Sequence, residues 1–161
     1  MYRHLLYSNY PEDRQLIILV IMRCLELSTV EVDMWELGQL CELVILTSKE
    51  IDESIRTLLV TVHNIMQNDN PKNAGHVLSE VYLCLIYKYK DLAVGLLGDH
   101  LEPMLIRFTS SHCIIQAPLL KKVHCMYLLE LLELEVRITH SHVIPLFNLI
   151  INLMGSFLPK S

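Results

Sequence analysis

Two matching dipeptides, His112-Cys113 and His124-Cys125, bring together the side-chain types that bind zinc. Ligands of a zinc site usually come in pairs two to five residues apart, so that both members reach one tetrahedral ion. Adjacent residues on a helix point about 100° apart, so each dipeptide offers only one ligand to a common point. His140 or His142 would add one more. We therefore predict no metal site and expect buried cysteines and helix-end histidines instead.

The sequence lacks the motifs that carry catalysis or cofactor binding. It contains no nucleophile elbow, no phosphate-binding glycine loop and no HExxH pair. Gly95 and Gly98 lie in an apolar run with no strand before them, which excludes a dinucleotide site. Glu130 and Glu133 share a helical side on which Glu135 does not lie, so these carboxylates predict a solvated face. We predict no enzyme activity, no catalytic residue and no cofactor.

Composition and charge narrow the class of protein further. The chain has 161 residues, of which 52% are hydrophobic and 19% are charged, and its net charge is −5. Typical domains have about 25% charged residues, so this chain carries an apolar excess. No basic run exceeds Lys121-Lys122, so direct nucleic-acid binding is not expected. Five cysteines without a CxxC pair, and no signal-peptide pattern, predict an intracellular protein, cytoplasmic or nuclear.

Apolar residues recur every three or four positions almost throughout, which predicts an all-α fold of about seven helices. The predicted helices cover about 11–27, 28–46, 49–68, 74–89, 92–101 with 104–108, 118–136 and 139–158. Pro11 is placed as a first-turn proline, and Thr47 with Glu50 has the spacing of a capping box before the third helix. The predicted buried face of the second helix comprises Val32, Trp35, Leu40, Cys41 and Val44. That of the third comprises Ile51, Ile55, Leu58, Leu59, Val62, Ile65 and Met66.

Pairs of these helices begin near residues 11, 49, 91 and 117, at intervals of 38 and 42 residues and then a shorter one. Antiparallel hairpins that recur at about 40 residues resemble the HEAT and armadillo class of α-solenoid. The resemblance is architectural and covers about 11–158. It implies a single all-α domain over 1–161, as a fragment of a longer helical-repeat protein or one subunit of a complex. An irregular helical bundle is the alternative.

A short motif of an apolar residue, then apolar-Gly-Asp, then a further apolar residue occurs at Val94, Leu97, Gly98, Asp99 and Leu101. This motif resembles the helical death motif of the Bcl-2 family. The resemblance implies a helix that binds in a groove of a partner. Val94 stands where leucine is usual, and no Asn-Trp-Gly-Arg tetrapeptide follows, because the one tryptophan is Trp35.

The C-terminal region contains the longest stretch without charge, the twenty-two residues of 138–159. That length could cross a bilayer. Its densest apolar part covers only the sixteen residues 143–158, which favours a terminal helix over a membrane span. Such a helix would be buried on one face and covered by a partner or a further repeat on the other. The candidate partner-binding residues here are Val143, Leu146, Phe147, Ile150, Ile151, Met154 and Phe157.

Two further candidate surfaces have polar character. Aromatic and basic residues alternate at the end of the fourth helix, in Tyr82, Tyr87, Lys88, Tyr89 and Lys90. Tyrosines are enriched in interfaces, although lysines at a helix C-terminus also complement its dipole without any partner. An acidic set could receive a basic partner, and its members are Glu31, Asp33, Glu36, Glu42, Asp52 and Glu53.

These patterns predict a non-enzymatic protein–protein interaction scaffold or adaptor, which binds a partner through an apolar helical face. The partner would be a protein, in an obligate hetero- or homo-oligomer. The alternative is a membrane-associated helical regulator, with a groove like that of the Bcl-2 family or with residues 138–159 as a C-terminal anchor.

Overall fold

The computed structural model describes residues 11–68, 74–101, 103, 125–133 and 143–155. All regular secondary structure in these ranges is helical, and they contain no strand, which confirms the predicted all-α class. The elements with defined bounds are α1 (Pro11–Leu27), α2 (Glu31–Thr47), α3 (Glu53–Asn68), α4 (Ala74–Tyr89), α5 (Asp91–Leu97), a 3-10 turn (Gly98–His100) and α6 (Val143–Gly155). Residues 125–133 are also helical.

The helix bounds agree with the sequence pattern where a strong stop or start signal is present. α1 and α4 have the predicted bounds of 11–27 and 74–89. The predicted helix over 92–101 is shorter, because α5 ends at Leu97 and Gly98 has a positive φ of 48°. The predicted piece over 104–108 lies outside the described residues, as does most of the predicted helix over 118–136.

The predicted capping box of Thr47 and Glu50 is wrong. The Thr47 hydroxyl donates a hydrogen bond back to the carbonyl of Leu43, at 2.8 Å, and so belongs to the end of α2. α3 begins later, and Asp52 caps it by accepting a hydrogen bond of 3.0 Å from the backbone N–H of Ile55. A carboxylate is a strong cap and favours the positive end of the helix dipole, which explains the later start.

Arg14 of α1 joins the end of α2 to the start of α3. Its guanidinium forms an ion pair with the Asp52 carboxylate and donates a 2.6 Å hydrogen bond to the Ser48 hydroxyl. Ser48 in turn donates to the carbonyl of Val44 at 2.6 Å. One side chain therefore connects three helices, and we call Arg14, Ser48 and Asp52 the corner clamp.

α1 contacts both α2 and α3. The loop between α1 and α2 has only three residues, so these two helices form an antiparallel hairpin. The core of this region comprises Ile18, Ile21 and Leu25 of α1, Met34, Cys41, Val44 and Ile45 of α2, and Ile55, Leu58, Leu59, Val62 and Met66 of α3. Val32, which the pattern placed on the buried face of α2, lies in the first turn of that helix and is instead 66% exposed.

Every residue of α4 from Leu78 to Ile86 is buried, including the polar Ser79 and Glu80. A helix that is apolar on nearly all sides is expected at the centre of a fold. The chain divides into two compact units, Met1–Cys84 and Leu85–Ser161, and the division falls inside α4. The single domain over 1–161 stays a prediction.

Candidate functional site

The outer face of α6 is an exposed apolar surface without a charged residue. Four of its side chains are exposed, Ile144 by 73%, Phe147 by 53%, Ile151 by 48% and Met154 by 55%. We call these four residues the α6 stripe. Their spacing of three, four and three residues places them along one side of the helix.

The opposite side of α6 is enclosed. Leu146 is fully buried and Ile150 is 3% exposed, while Val143 and Leu149 are half-buried. Of the C-terminal residues predicted to bind a partner, the structure thus separates core anchors, Leu146 and Ile150, from the exposed stripe. The predicted residue Phe157 lies outside the described residues.

The α6 stripe is unusual because no charge interrupts it. Val143–Gly155 contains no Lys, Arg, Asp or Glu, and the exposed residues beside the stripe are Pro145, Asn148, Asn152 and Gly155. Single exposed apolar residues are ordinary on a protein surface, but a contiguous set on one helix indicates an interaction site. The surface offers a partner shape and apolar area, with the Asn148 amide at its border.

The aromatic and basic cluster at the end of α4 makes contacts inside the second unit. The Tyr87 and Tyr127 rings lie 5.2 Å apart, centroid to centroid, at an interplanar angle of 47°. The Lys90 ammonium lies 3.3 Å from the Glu130 carboxylate. The Lys88 ammonium lies 5.3 Å from the centre of the Tyr89 ring. Tyr87 and Lys90 thus attach the end of α4 to the helical segment 125–133.

Tyr82, the remaining member of that cluster, is only 3% exposed. Burial raises the pKa of its phenol above the usual range, so it stays neutral at any physiological pH. Its position offers no surface to a partner in this conformation. The contacts within the fold account for the arrangement of the other four members, Tyr87, Lys88, Tyr89 and Lys90. Binding of a partner through these four residues stays a prediction.

The predicted acidic surface is partly used within the fold. Asp52 belongs to the corner clamp, and Asp33 accepts a 3.1 Å hydrogen bond from the Ser28 hydroxyl. Partial burial raises the pKa of Asp52, but the Ile55 N–H and the Arg14 guanidinium outweigh burial and hold that pKa below its usual value. A carboxylate held in this way stabilises the corner of the fold.

The described residues contain no group of three or more His, Cys, Asp or Glu side chains that could hold a metal ion. Cys125 is buried, and burial raises the pKa of its thiol. Its neighbour His124 and the dipeptide His112-Cys113 lie outside the described residues, as do His140 and His142. In α2, burial and then the nearby Glu42 raise the pKa of Cys41 to about 12, so this thiol is a poor nucleophile.

The residues that resemble the death motif do not form one continuous helix. Leu97 is buried at the last position of α5, and Gly98 turns the chain with a φ of 48°. Asp99 then lies in the 3-10 turn. A helical ligand needs its anchors on one face of an unbroken helix, so this segment does not have the geometry of such a ligand.

Sequence reasoning missed a second apolar surface, on α1. Its exposed members are Leu16, Leu19, Val20 and Leu27, each 54% exposed or more. The signal was present in the seven consecutive apolar residues 16–22, since a helix with an apolar run longer than one turn must place some of it outside the core. Unlike the α6 stripe, this surface is crossed by the exposed ion pair of Arg23 and Glu26.

Comparisons of the chain with protein-family models, with curated proteins and with solved structures found no significant match. Among the described helices, none combines the length and the hydropathy needed to cross a membrane.

Proposed function

We propose that this protein is a non-enzymatic interaction module that binds a helix of a protein partner through the α6 stripe. The observation that carries the proposal is the exposure of Ile144, Phe147, Ile151 and Met154 on a helix that has no charge. A module of this kind would act in the cell as a scaffold or adaptor, which is the role that the sequence predicts.

The spacing of the stripe favours a helix as the ligand. Side chains at i, i+3, i+7 and i+10 form a ridge that fits between the side chains of a second helix, as in coiled coils and helix-in-groove complexes. The ridge runs from Ile144 to Met154, so it is about 15 Å long at 1.5 Å per residue. About three turns of a partner helix would cover it.

The chemistry of the stripe specifies the contacting face of that helix. A charged side chain opposite the stripe would lose water and find no opposite charge on α6, which costs free energy. The ligand face must therefore be apolar at its centre. Amides or hydroxyls can lie at its edge, where Asn148 is exposed and can exchange hydrogen bonds with them.

The free energy gained when a partner covers the α6 stripe supports reversible binding. Full burial of a large apolar side chain is worth about 1.5–3 kcal/mol, and the stripe residues are already about half buried. Covering all four would therefore contribute about 4 kcal/mol, and further contacts around the stripe would add to it against the cost of association. We expect affinity in the micromolar range.

A peptide-display selection tests the proposal. Helical peptides are selected on the full chain and counter-selected on the variant Ile151→Asp, and Asn152→Asp serves as the matched control, since it adds the same charge to the adjacent exposed position. We expect enriched peptides with apolar residues at three- and four-residue spacing, which bind the wild type and Asn152→Asp at least tenfold more tightly than Ile151→Asp.

Two results would overturn the proposal. One is a selection that enriches no helical peptide sensitive to Ile151→Asp. The other is retention of the chain on phosphatidylcholine vesicles that Ile151→Asp abolishes and Asn152→Asp does not, because the stripe would then be a membrane-contact surface. Circular dichroism of both variants must match the wild type, which shows that the fold is kept.

A further inference from the structure

We infer that the helix that covers the α6 stripe is α6 of a second copy of this chain, in antiparallel orientation. The inference rests on the proposed function and names its partner. Its basis is the symmetry of the stripe, the absence of charge along α6 and the amount of apolar area that the stripe exposes.

The spacing of the stripe is the same in both directions. Ile144 and Met154 lie five residues on either side of position 149, and Phe147 and Ile151 lie two residues on either side of it. A two-fold axis at position 149 therefore places Phe147 opposite Ile151 of the second copy, and Ile144 opposite Met154 of the second copy. An interface between identical copies needs such self-complementarity.

The charge distribution permits this pairing. The chain has a net charge of −5, so two copies repel one another through most orientations. Val143–Gly155 contains no charged residue, so pairing through α6 brings no like charges together within the contact. The antiparallel orientation also places the positive end of each helix dipole beside the negative end of the other, which is the favourable arrangement.

The exposed area indicates a weak and reversible dimer. The four side chains expose on the order of 100 Å² each, so two copies would cover roughly 800 Å² between them. Stable interfaces cover about 1,200–2,000 Å², and smaller ones are transient. We therefore expect a dissociation constant of about 10–100 µM, with monomer at low micromolar concentration and dimer at several hundred micromolar.

Sedimentation equilibrium of the full chain tests the association. The mass is expected to rise from the monomer value of 18.7 kDa toward twice that value with increasing concentration. Asn152→Asp should behave as the wild type, whereas Ile151→Asp should stay monomeric at every concentration. A wild-type monomer at several hundred micromolar overturns the inference, and so does a dimer that Ile151→Asp leaves intact.

Disulfide trapping tests the orientation. In a background in which the exposed Cys24 is replaced by serine, and Cys113 is replaced by serine as well, Ile144→Cys and Met154→Cys proteins are mixed in equal amounts and oxidised. The antiparallel pairing predicts that the mixed disulfide between the two variants exceeds either self-disulfide at least several-fold. Dominant self-disulfides of Ile144→Cys would overturn the antiparallel arrangement.

The two proposals fail in different ways. If the wild type stays monomeric but peptides selected on it still lose binding to Ile151→Asp, the second copy is not the partner and the interaction module stands. If the chain stays monomeric and the selection enriches nothing, both proposals are refuted.

Discussion

Replacement of Asp52 separates two contributions to the corner clamp. The carboxylate caps α3 through the Ile55 N–H, and it also pairs with Arg14. Asp52→Asn keeps a strong capping group and removes only the charge, whereas Asp52→Ala removes both. We therefore expect the alanine variant to be the more destabilised of the two.

The magnitudes follow from the local geometry. Loss of an N-cap costs about 1 kcal/mol, within a range of about 0.5–2. The side chains of the ion pair are 24% and 33% exposed, so water screens the pair partly, and its loss costs about 1 kcal/mol. The Nε atom of Arg14 is buried without a hydrogen-bond partner, so the guanidinium depends on Asp52 and Ser48. We expect Asp52→Asn to lower the free energy of unfolding by about 1 kcal/mol and Asp52→Ala by about 2 kcal/mol.

The pH dependence of the free energy of unfolding gives a second test of the contribution of the Asp52 charge. Asp52 has a lowered pKa in the folded protein, so its charge stabilises the fold fully above the unfolded-state value of about 3.9 and loses this effect as pH falls through the folded pKa. The difference in stability between the wild type and Asp52→Asn should be constant from about pH 5 to 7 and shrink below about pH 4.

Urea unfolding followed by tryptophan fluorescence measures these differences. Trp35 is the one tryptophan of the chain and lies in α2, in the same compact unit as the clamp. The Arg14→Met and Asp52→Asn double-mutant cycle should give a coupling of about 1 kcal/mol. Equal loss in Asp52→Asn and Asp52→Ala would refute the capping role. A stability difference between the wild type and Asp52→Asn that persists below pH 3 would refute the ionic one.

Two further predictions concern backbone strain and thiol reactivity. Lys90 has a φ of 47°, so Lys90→Gly should raise the free energy of unfolding by about 1 kcal/mol despite losing the Glu130 ion pair. Lys88→Gly, within α4, should lower it by about 1 kcal/mol. Thermal unfolding followed by circular dichroism measures both, and a lower midpoint for Lys90→Gly than for the wild type would contradict the strain. Cys24 is exposed and should react with a disulfide reagent within minutes at pH 8. The buried Cys41, with a pKa of about 12, should react only as the protein unfolds. Comparable rates of thiol modification in the Cys24→Ser and Cys41→Ser proteins would contradict this.

Local signals account for the parts of the fold that the sequence predicted well. Pro11 in a first turn and the polar loop after Asn68 are strong start and stop signals, and α1 and α4 have the predicted bounds. The apolar period of α3 correctly predicted Ile55, Leu58 and Val62 as core residues. The start of α3 was misplaced because Thr47 and Asp52 are both good caps, and the choice depends on Arg14, which is distant in sequence.

Candidate surface residues were harder to predict than core residues. The tyrosines and lysines at the end of α4 have the composition of an interface, yet Tyr87 contacts Tyr127 and Lys90 contacts Glu130. Composition cannot distinguish a group that awaits a partner from one that already contacts another helix of the same chain. The outer face of α1 was missed because the seven consecutive apolar residues 16–22 contain no polar position that marks the exposed side.

The all-α class follows from the amino-acid sequence alone, because helical periodicity is a local property of the apolar pattern. The sequence also located the uncharged C-terminal segment that contains α6. Which side of α6 is enclosed follows from the packing of the folded chain, with Leu146 and Ile150 inside and Phe147 and Ile151 outside. α6 has no charged residue to mark its outer side, so burial is assigned by the neighbouring helices, which are brought there by the rest of the fold.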